Sequence, residues 1–249
     1  MENKFFVSLS EEGASYPEEA LIDCFKNATS DIDVYIVFED VHNKFIVPTL
    51  CSLYELLINN TKCNISLIPK QGKAFGQELA QKKVELKSFD STQYNISCVG
   101  GTFDHMHAGH KLLLTTTALV TKKKVMIGVT RKASRSKKIA ELIYPLHKRT
   151  ADVIDFMFKV NEDLVYSIEV IDDVAGPVGK PGDIDILVLS EETRKGAEEV
   201  KKLREERGLK PINYLVIPLI IDQKSGEKIS STQIRVSESL ESLSSLADD

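Results

Sequence analysis

The stretch from Gly100 to His110, GGTFDHMHAGH, sets two glycines, a threonine and three histidines directly after the apolar run YNISCV. Gly100 and Gly101 are read as the point where the backbone turns sharply and admits a ligand where a Cβ would collide. A helix is expected to begin near Ala108, so its first N–H groups and positive dipole end face the same space. That is a ready anion site. His107 and His110, three residues apart, can both aim at one bound group, and Gly109 between them lets a phosphate approach the backbone. Imidazole N–H groups donate to phosphate oxygens and stabilise charge that builds during phosphoryl or nucleotidyl transfer. His105, His107 and His110 lack a carboxylate or cysteine partner at zinc spacing, so no protein-held metal is expected.

Two further stretches carry cations or hydroxyls. ISSTQIR (229–235) puts Ser230, Ser231 and Thr232 at another helix start and adds Arg235 as a fixed cation. A plain serine cap with a surface arginine explains that segment equally well in isolation. RKASRSKK (131–138) holds five cations in eight residues, a pattern that a solvated loop or weak nucleic-acid binding also produces. Its place after an apolar strand favours phosphate binding. A GxGxxG fingerprint is absent, and GPVGKPG (176–182) has a lysine without the Ser/Thr of a Walker A loop.

The elements that must position these residues alternate regularly from about residue 93. Strands are expected at 94–100, 125–130, 165–171, 185–190 and 212–220, with helices after the first, second and fourth and Gly208 as a C-terminal stop. Buried strands alternating with helices imply a doubly wound, mainly parallel α/β sheet with ligands at the strands' carboxyl ends. Residues 1–92 read as a smaller α/β unit with strands at 5–9, 33–38 and 64–68 and a helix opening at Pro48. Residues 93–249 read as the catalytic unit. The tail spaces Leu240, Leu243 and Leu246 along one helix face that is expected to pack on the protein. His42 and His147 are read as structural or surface residues.

Composition bounds the rest. With 249 residues, 42% hydrophobic and 28% charged, the chain suits an ordinary globular α/β protein. A net charge of −5 leaves no global field for nucleic acid, and no nucleic-acid partner is expected. Cys24, Cys51, Cys63 and Cys98 form no CxxC pair and are read as reduced thiols of a cytoplasmic protein, nuclear access remaining open. The N-terminus lacks a signal-peptide pattern, and YLVIPLII is too short to span a bilayer, so no membrane role is expected.

GGTFDHMHAGH resembles the HxGH element of the nucleotidyltransferase superfamily, and ISSTQIR is similar to its ISSTxIR segment. Over roughly residues 94–240 the likeness is to phosphopantetheine adenylyltransferases of archaeal and eukaryotic type. It is carried also by LSEETRKGAEEVKKLREERGLKPIN (189–213), IDDVAGPVG (171–179) and GVTRKASRSKK (128–138). One departure is the EEVKKLR segment, where the family usually has Asn in an IN pair before the arginine. The resemblance implies a Rossmann-like fold and adenylyl transfer from ATP to 4′-phosphopantetheine, giving dephospho-coenzyme A and pyrophosphate, with Mg²⁺ accompanying ATP. It implies catalytic roles for His107, His110, Lys137 and Arg235. Nucleotide contacts fall to Gly101, Thr102, Phe103, Gly109, Ser190, Glu192, Thr193, Arg194, Ser230, Ser231 and Thr232. Acceptor contacts fall to Thr102, Arg131, Lys132 and Lys138. Coenzyme A is a further expected ligand, and residues 1–92, with no HxGH of their own, are read either as a degenerate nucleotide-binding half or as a docking surface for a protein partner. The alternatives are a cytidylyltransferase acting on a small alcohol phosphate, and a catalytically silent sensor of adenine nucleotides or coenzyme A.

Overall fold

The computed structural model describes residues 4–8, 15–16, 18–26, 28, 30–38, 40, 42, 44–61, 63–71, 82–83, 92–131, 140–173 and 175–247. Two parallel sheets organise them. The first joins β1 (Lys4–Ser8), β3 (Ile32–Phe38) and β4 (Ile65–Gln71) in the order β1-β3-β4. A short antiparallel pair, β2 (Ser15–Tyr16) with β5 (Lys82–Lys83), is separate from it. Between these strands run α1 (Glu18–Phe25) and α2 (Ile46–Asn60). Leu50, Leu53 and Leu57 of α2 are buried at helical spacing. The helix starts two residues before Pro48, which is tolerated because first-turn amides have no intrahelical acceptor.

The second sheet has five parallel strands in the order β10-β9-β6-β7-β8. They are β6 (Tyr94–Gly101), β7 (Thr121–Thr130), β8 (Val165–Ile171), β9 (Ile186–Ser190) and β10 (Asn213–Ile217). Helices α3 (Ala108–Leu119), α4 (Leu146–Val160) and α5 (Arg194–Glu206) connect them, and α6 (Ser231–Ala247) ends the chain. From β6 the chain adds β7 and β8 on one side, then returns to place β9 and β10 on the other. The crevice between the carboxyl ends of β6 and β9 is therefore the topological switch point, where open α/β sheets hold ligands.

The expected doubly wound sheet is present, with local differences. β7 extends back through Lys122 and Lys123, which face solvent. β10 ends at Ile217 because Pro218 has no N–H to continue the ladder. A 3-10 turn, Glu191–Thr193, precedes α5, and Gly208 stops α5 with φ +63°, a left-handed conformation that favours glycine. Leu240 of α6 is 61% exposed, and the side chains of Leu243 and Leu246 on the same expected face lie outside the described residues.

α3 is the joint between the two sheets. A single buried cluster runs from Leu50, Leu53 and Leu67 through Leu112, Leu113 and Leu114 to Val125, Val153 and Met157. The opposite face of the five-stranded sheet packs Cys98, Leu187 and Leu189 against Ala197 and Val200 of α5. Cys51 and Cys98 are free and buried, and burial pushes both thiols up to about 12. Cys63 is also free and half-buried. Among the described residues no helix is long and apolar enough to cross a membrane.

Candidate active site

Gly100 and Gly101 end strand β6 rather than making the turn after it. The chain turns instead at Phe103 (φ 49°) and His105 (φ 42°), both left-handed despite having side chains. The glycines matter for space. A Cβ on Gly101 would stand 3.2 Å from the Phe103 ring, which is fully buried beneath the loop.

The loop 102–107 is fixed by buried charge. Asp104 is inaccessible to solvent, accepts the Tyr144 N–H at 2.9 Å and pairs with the equally inaccessible Arg235 of α6. Arg235 also donates to Thr232 Oγ1 at 3.0 Å. His105 stacks on Tyr144 with ring centres 3.9 Å apart and bonds Glu238 of α6 at 3.0 Å. Arg149 of α4 is buried and donates to Thr102 O at 2.6 Å, to Tyr144 O at 2.9 Å and to Thr130 O at 3.0 Å. One guanidinium thus ties the ends of β6 and β7 together.

His107 is the N-cap of α3, and its Nδ1 accepts the Gly109 N–H at 3.2 Å. That bond places the ring's proton on Nε2, leaving Nε2–H as the ring's one donor. Burial, then the nearby Lys111 cation, lowers the His107 pKa to about 4, so the ring is neutral near pH 7. His110 stacks on it with centres 3.9 Å apart, and Phe103 lies 5.5 Å from His110. Gly109 leaves room for the ring: a Cβ there would stand 3.1 Å from His107 Cε1, tighter than ordinary contact.

The ISSTQIR segment meets the same loop. Ser230 precedes α6 and accepts the Gln233 N–H at 3.3 Å while donating to Gln233 Oε1 at 3.1 Å, a reciprocal serine–glutamine cap. Ser231 and Thr232 form the first turn. Lys228, just before it, acts on the His107 charge and pairs with Glu192 at 2.5 Å. Lys228 thus links the start of α6 to Glu192, while His107, Ile229 and Ile234 line one cleft.

Ser190 and Thr193 bond each other across the 3-10 turn, Ser190 N–H donating to Thr193 Oγ1 at 3.3 Å. Arg194 and Glu191 form an exposed two-bond pair at 2.7 and 2.5 Å, which raises the arginine's affinity for its proton and lowers the carboxyl's. The basic loop is represented by Arg131, which donates to Asp172 at 3.0 Å. Lys132, Lys137 and Lys138 lie outside the described residues. Arg235, expected to offer its cation to phosphate, is instead buried against Asp104. His42 and His147 are exposed. Among the described residues no three His, Cys, Asp or Glu side chains cluster as a metal site.

Asp104, Arg149 and Lys111 were not singled out by motif. For the two cations a signal existed. Arg149 shares the buried face of α4 with Val153, Phe156 and Val160, and Lys111 sits within the buried run of α3. A cation on an apolar stripe must find fixed acceptors.

Comparison with known proteins finds the cytidylyltransferase-like family matching residues 98–237, more than half of the chain. A phosphopantetheine adenylyltransferase from Pyrococcus abyssi is 44% identical over 138 residues, covering 55% of this chain and 86% of that protein. One from Saccharomyces cerevisiae is 37% identical over 150 residues, covering 59% of this chain and 49% of its own. An uncharacterized protein from Schizosaccharomyces pombe is 38% identical over 148 residues, 56% of this chain and 47% of that protein. The chain thus spans about half the length of the two yeast relatives.

Proposed function

The chain belongs to the cytidylyltransferase-like family, and we propose that its residues 93–249 transfer the adenylyl group of ATP to 4′-phosphopantetheine, forming dephospho-coenzyme A and pyrophosphate. The observation that carries this reading is the His107 ring, which lines a cleft at the start of α3 and is held neutral with its proton on Nε2. It is a preorganised donor for phosphate oxygen.

In the reaction the acceptor phosphate, already anionic near neutral pH, attacks the α-phosphorus in line. The new P–O bond forms as the bond to the β-phosphate oxygen breaks, and no covalent enzyme intermediate arises. Catalysis then rests on positioning and charge stabilisation. His110 donates to the α-phosphate and His107 to the departing pyrophosphate. The α3 and α6 starts add backbone N–H groups, with hydroxyls from Ser231 and Thr232. Thr102, whose carbonyl is fixed by Arg149, offers its hydroxyl to the transferred phosphate. Arg194 can serve nucleotide phosphate by exchanging its exposed Glu191 partner. Lysines of the loop 131–138 hold the acceptor phosphate. The donors at this crevice are imidazoles, hydroxyls and amides, which suit anions, so Mg²⁺ fits as an ion carried by the triphosphate and its waters.

The test is turnover by the purified full chain with ATP or CTP against 4′-phosphopantetheine, ethanolamine phosphate and glycerol phosphate. Pyrophosphate release and the mass of the product are read. Formation of dephospho-coenzyme A from ATP is expected, and activity confined to CTP would refute the assignment.

A further inference from the structure

We propose that Lys111 is a positioning residue through which the three-stranded sheet holds the HAGH turn and sets the orientation of His107; this rests on the reading of that turn as the nucleotide site. Lys111 follows His110 directly, and its backbone N–H donates to His107 O at 3.0 Å, closing the first turn of α3. Its side chain, 4% exposed, runs to the other sheet. There Nζ donates to Asn64 Oδ1 at 2.9 Å, Ile65 O at 2.9 Å and Ser66 Oγ at 3.0 Å. An ammonium has three donors, and all three are satisfied at the start of β4.

The chemistry of this contact is unusual for a joint between two sheets. All three acceptors are neutral, so the ammonium is desolvated without a hydrogen-bonded carboxylate, and burial lowers its pKa to about 8. A methionine would fill the same space without that cost. What the lysine adds is a fixed direction, because three bonds hold its tip while its amide holds the His107 carbonyl. Its charge also disfavours a second cation at His107, second only to burial in keeping that ring neutral. The charged and titratable groups facing Lys111 are Asp31, Asp33, Cys63 and Lys159. Those acting on His107 besides Lys111 are Asp104, His105 and Lys228. Lys111 and His107 both line the cleft of 870 Å³ between the two sheets.

The experiment compares Lys111→Met with a double variant, Asn64→Ala with Ser66→Ala, in the full chain. NMR titration of the His107 imidazole, assigned against His107→Gln, is measured beside kcat and KM for ATP. In Lys111→Met the His107 midpoint rises, because a neighbouring cation is gone, and kcat falls about 10- to 100-fold with KM little changed. In the double variant the charge remains but the tether is cut, so the midpoint holds while kcat falls about 10-fold. Unchanged kcat in either folded variant overturns the proposal, and the double variant decides alone if Lys111→Met does not fold. If the wild-type chain has no adenylyl-transfer activity, the proposed function fails separately. The imidazole nitrogen NMR shifts of His107 then decide this inference: loss in the double variant of the Nε2–H tautomer held by the Gly109 N–H bond supports it, and an unchanged tautomer overturns it.

Discussion

Replacing Gly109 by alanine separates stability from catalysis at the candidate site. Gly109 is the second residue of α3 and has no left-handed φ. On backbone grounds alone alanine is favoured there by up to about 1 kcal/mol. The new Cβ, however, would stand 3.1 Å from His107 Cε1 and 3.2 Å from Nδ1, closer than ordinary contact. The ring must give by a few tenths of an ångström, and the 3.2 Å bond from the Gly109 N–H to Nδ1 is expected to break as it does. Losing an N-cap bond costs roughly 1 kcal/mol. The two terms nearly cancel, so the melting temperature is expected to stay within a few degrees.

Catalysis has no such compensation. With Nδ1 released, nothing keeps the proton on Nε2 or fixes the donor's direction. Loss of one preorganised donor costs on the order of 3 kcal/mol of transition-state stabilisation, a fall of about 10²-fold or more in kcat. The assay is pyrophosphate release at saturating ATP and acceptor beside a thermal melt. A variant that melts like wild type and turns over within threefold of it would show that the His107 cap has no part in the chemistry.

Four other perturbations probe neighbouring parts. The His107 pKa falls from 6.5 unfolded to about 4 folded, so the unfolded chain binds the proton first as pH drops. Wild type is therefore expected to lose roughly 3 kcal/mol more than His107→Gln between pH 7 and 4, as urea titrations at each pH would show. Asp104→Asn leaves the Arg235 guanidinium buried without its carboxylate; a loss of roughly 3 kcal/mol is expected by urea unfolding. Arg149→Lys cannot reproduce the forked bonds to Thr102 O and Thr130 O, and a loss of about 2 kcal/mol is expected by the same measure. Arg194→Ala removes an exposed pair that water screens, so an increase in KM for ATP with an unchanged melting temperature is expected if its cation serves phosphate.

Much of the second sheet was legible because its strands are short apolar runs between helices with clear ends. α4 begins and ends where its apolar spacing puts it, at Leu146 and Val160, and Gly208 stops α5 with the predicted backbone. The HAGH and ISSTQIR starts were legible as helix openings for the same reason. What the sequence hid was pairing at a distance. Arg235 looks like an exposed cation at the end of a serine-rich helix start, yet Asp104, 131 residues away, takes it into the interior. The bend after β6 was misplaced because glycine is the usual residue at left-handed φ, whereas Phe103 and His105 are forced there by their buried surroundings. Lys111 and Arg149 likewise found acceptors on other elements that no local pattern reveals.

Those hidden pairs explain how the loop 102–107 holds its shape. Two left-handed residues with side chains cost of order 1–3 kcal/mol each, and the loop has no ladder of its own to offset that. The offset comes from outside. Arg149 holds the Thr102 carbonyl, the Tyr144 amide and Arg235 hold Asp104, and Glu238 holds His105. α4 and α6 therefore both grip the loop before any ligand arrives, and His107 emerges from a backbone already fixed at its N-terminal side. Lys111 fixes it on the C-terminal side through β4. A donor held from both directions needs little reorganisation when charge develops on a phosphate oxygen, which is the condition under which a neutral imidazole N–H stabilises a transition state strongly. The buried cations and the strained loop thus serve one end, a HAGH turn held rigid before any ligand arrives.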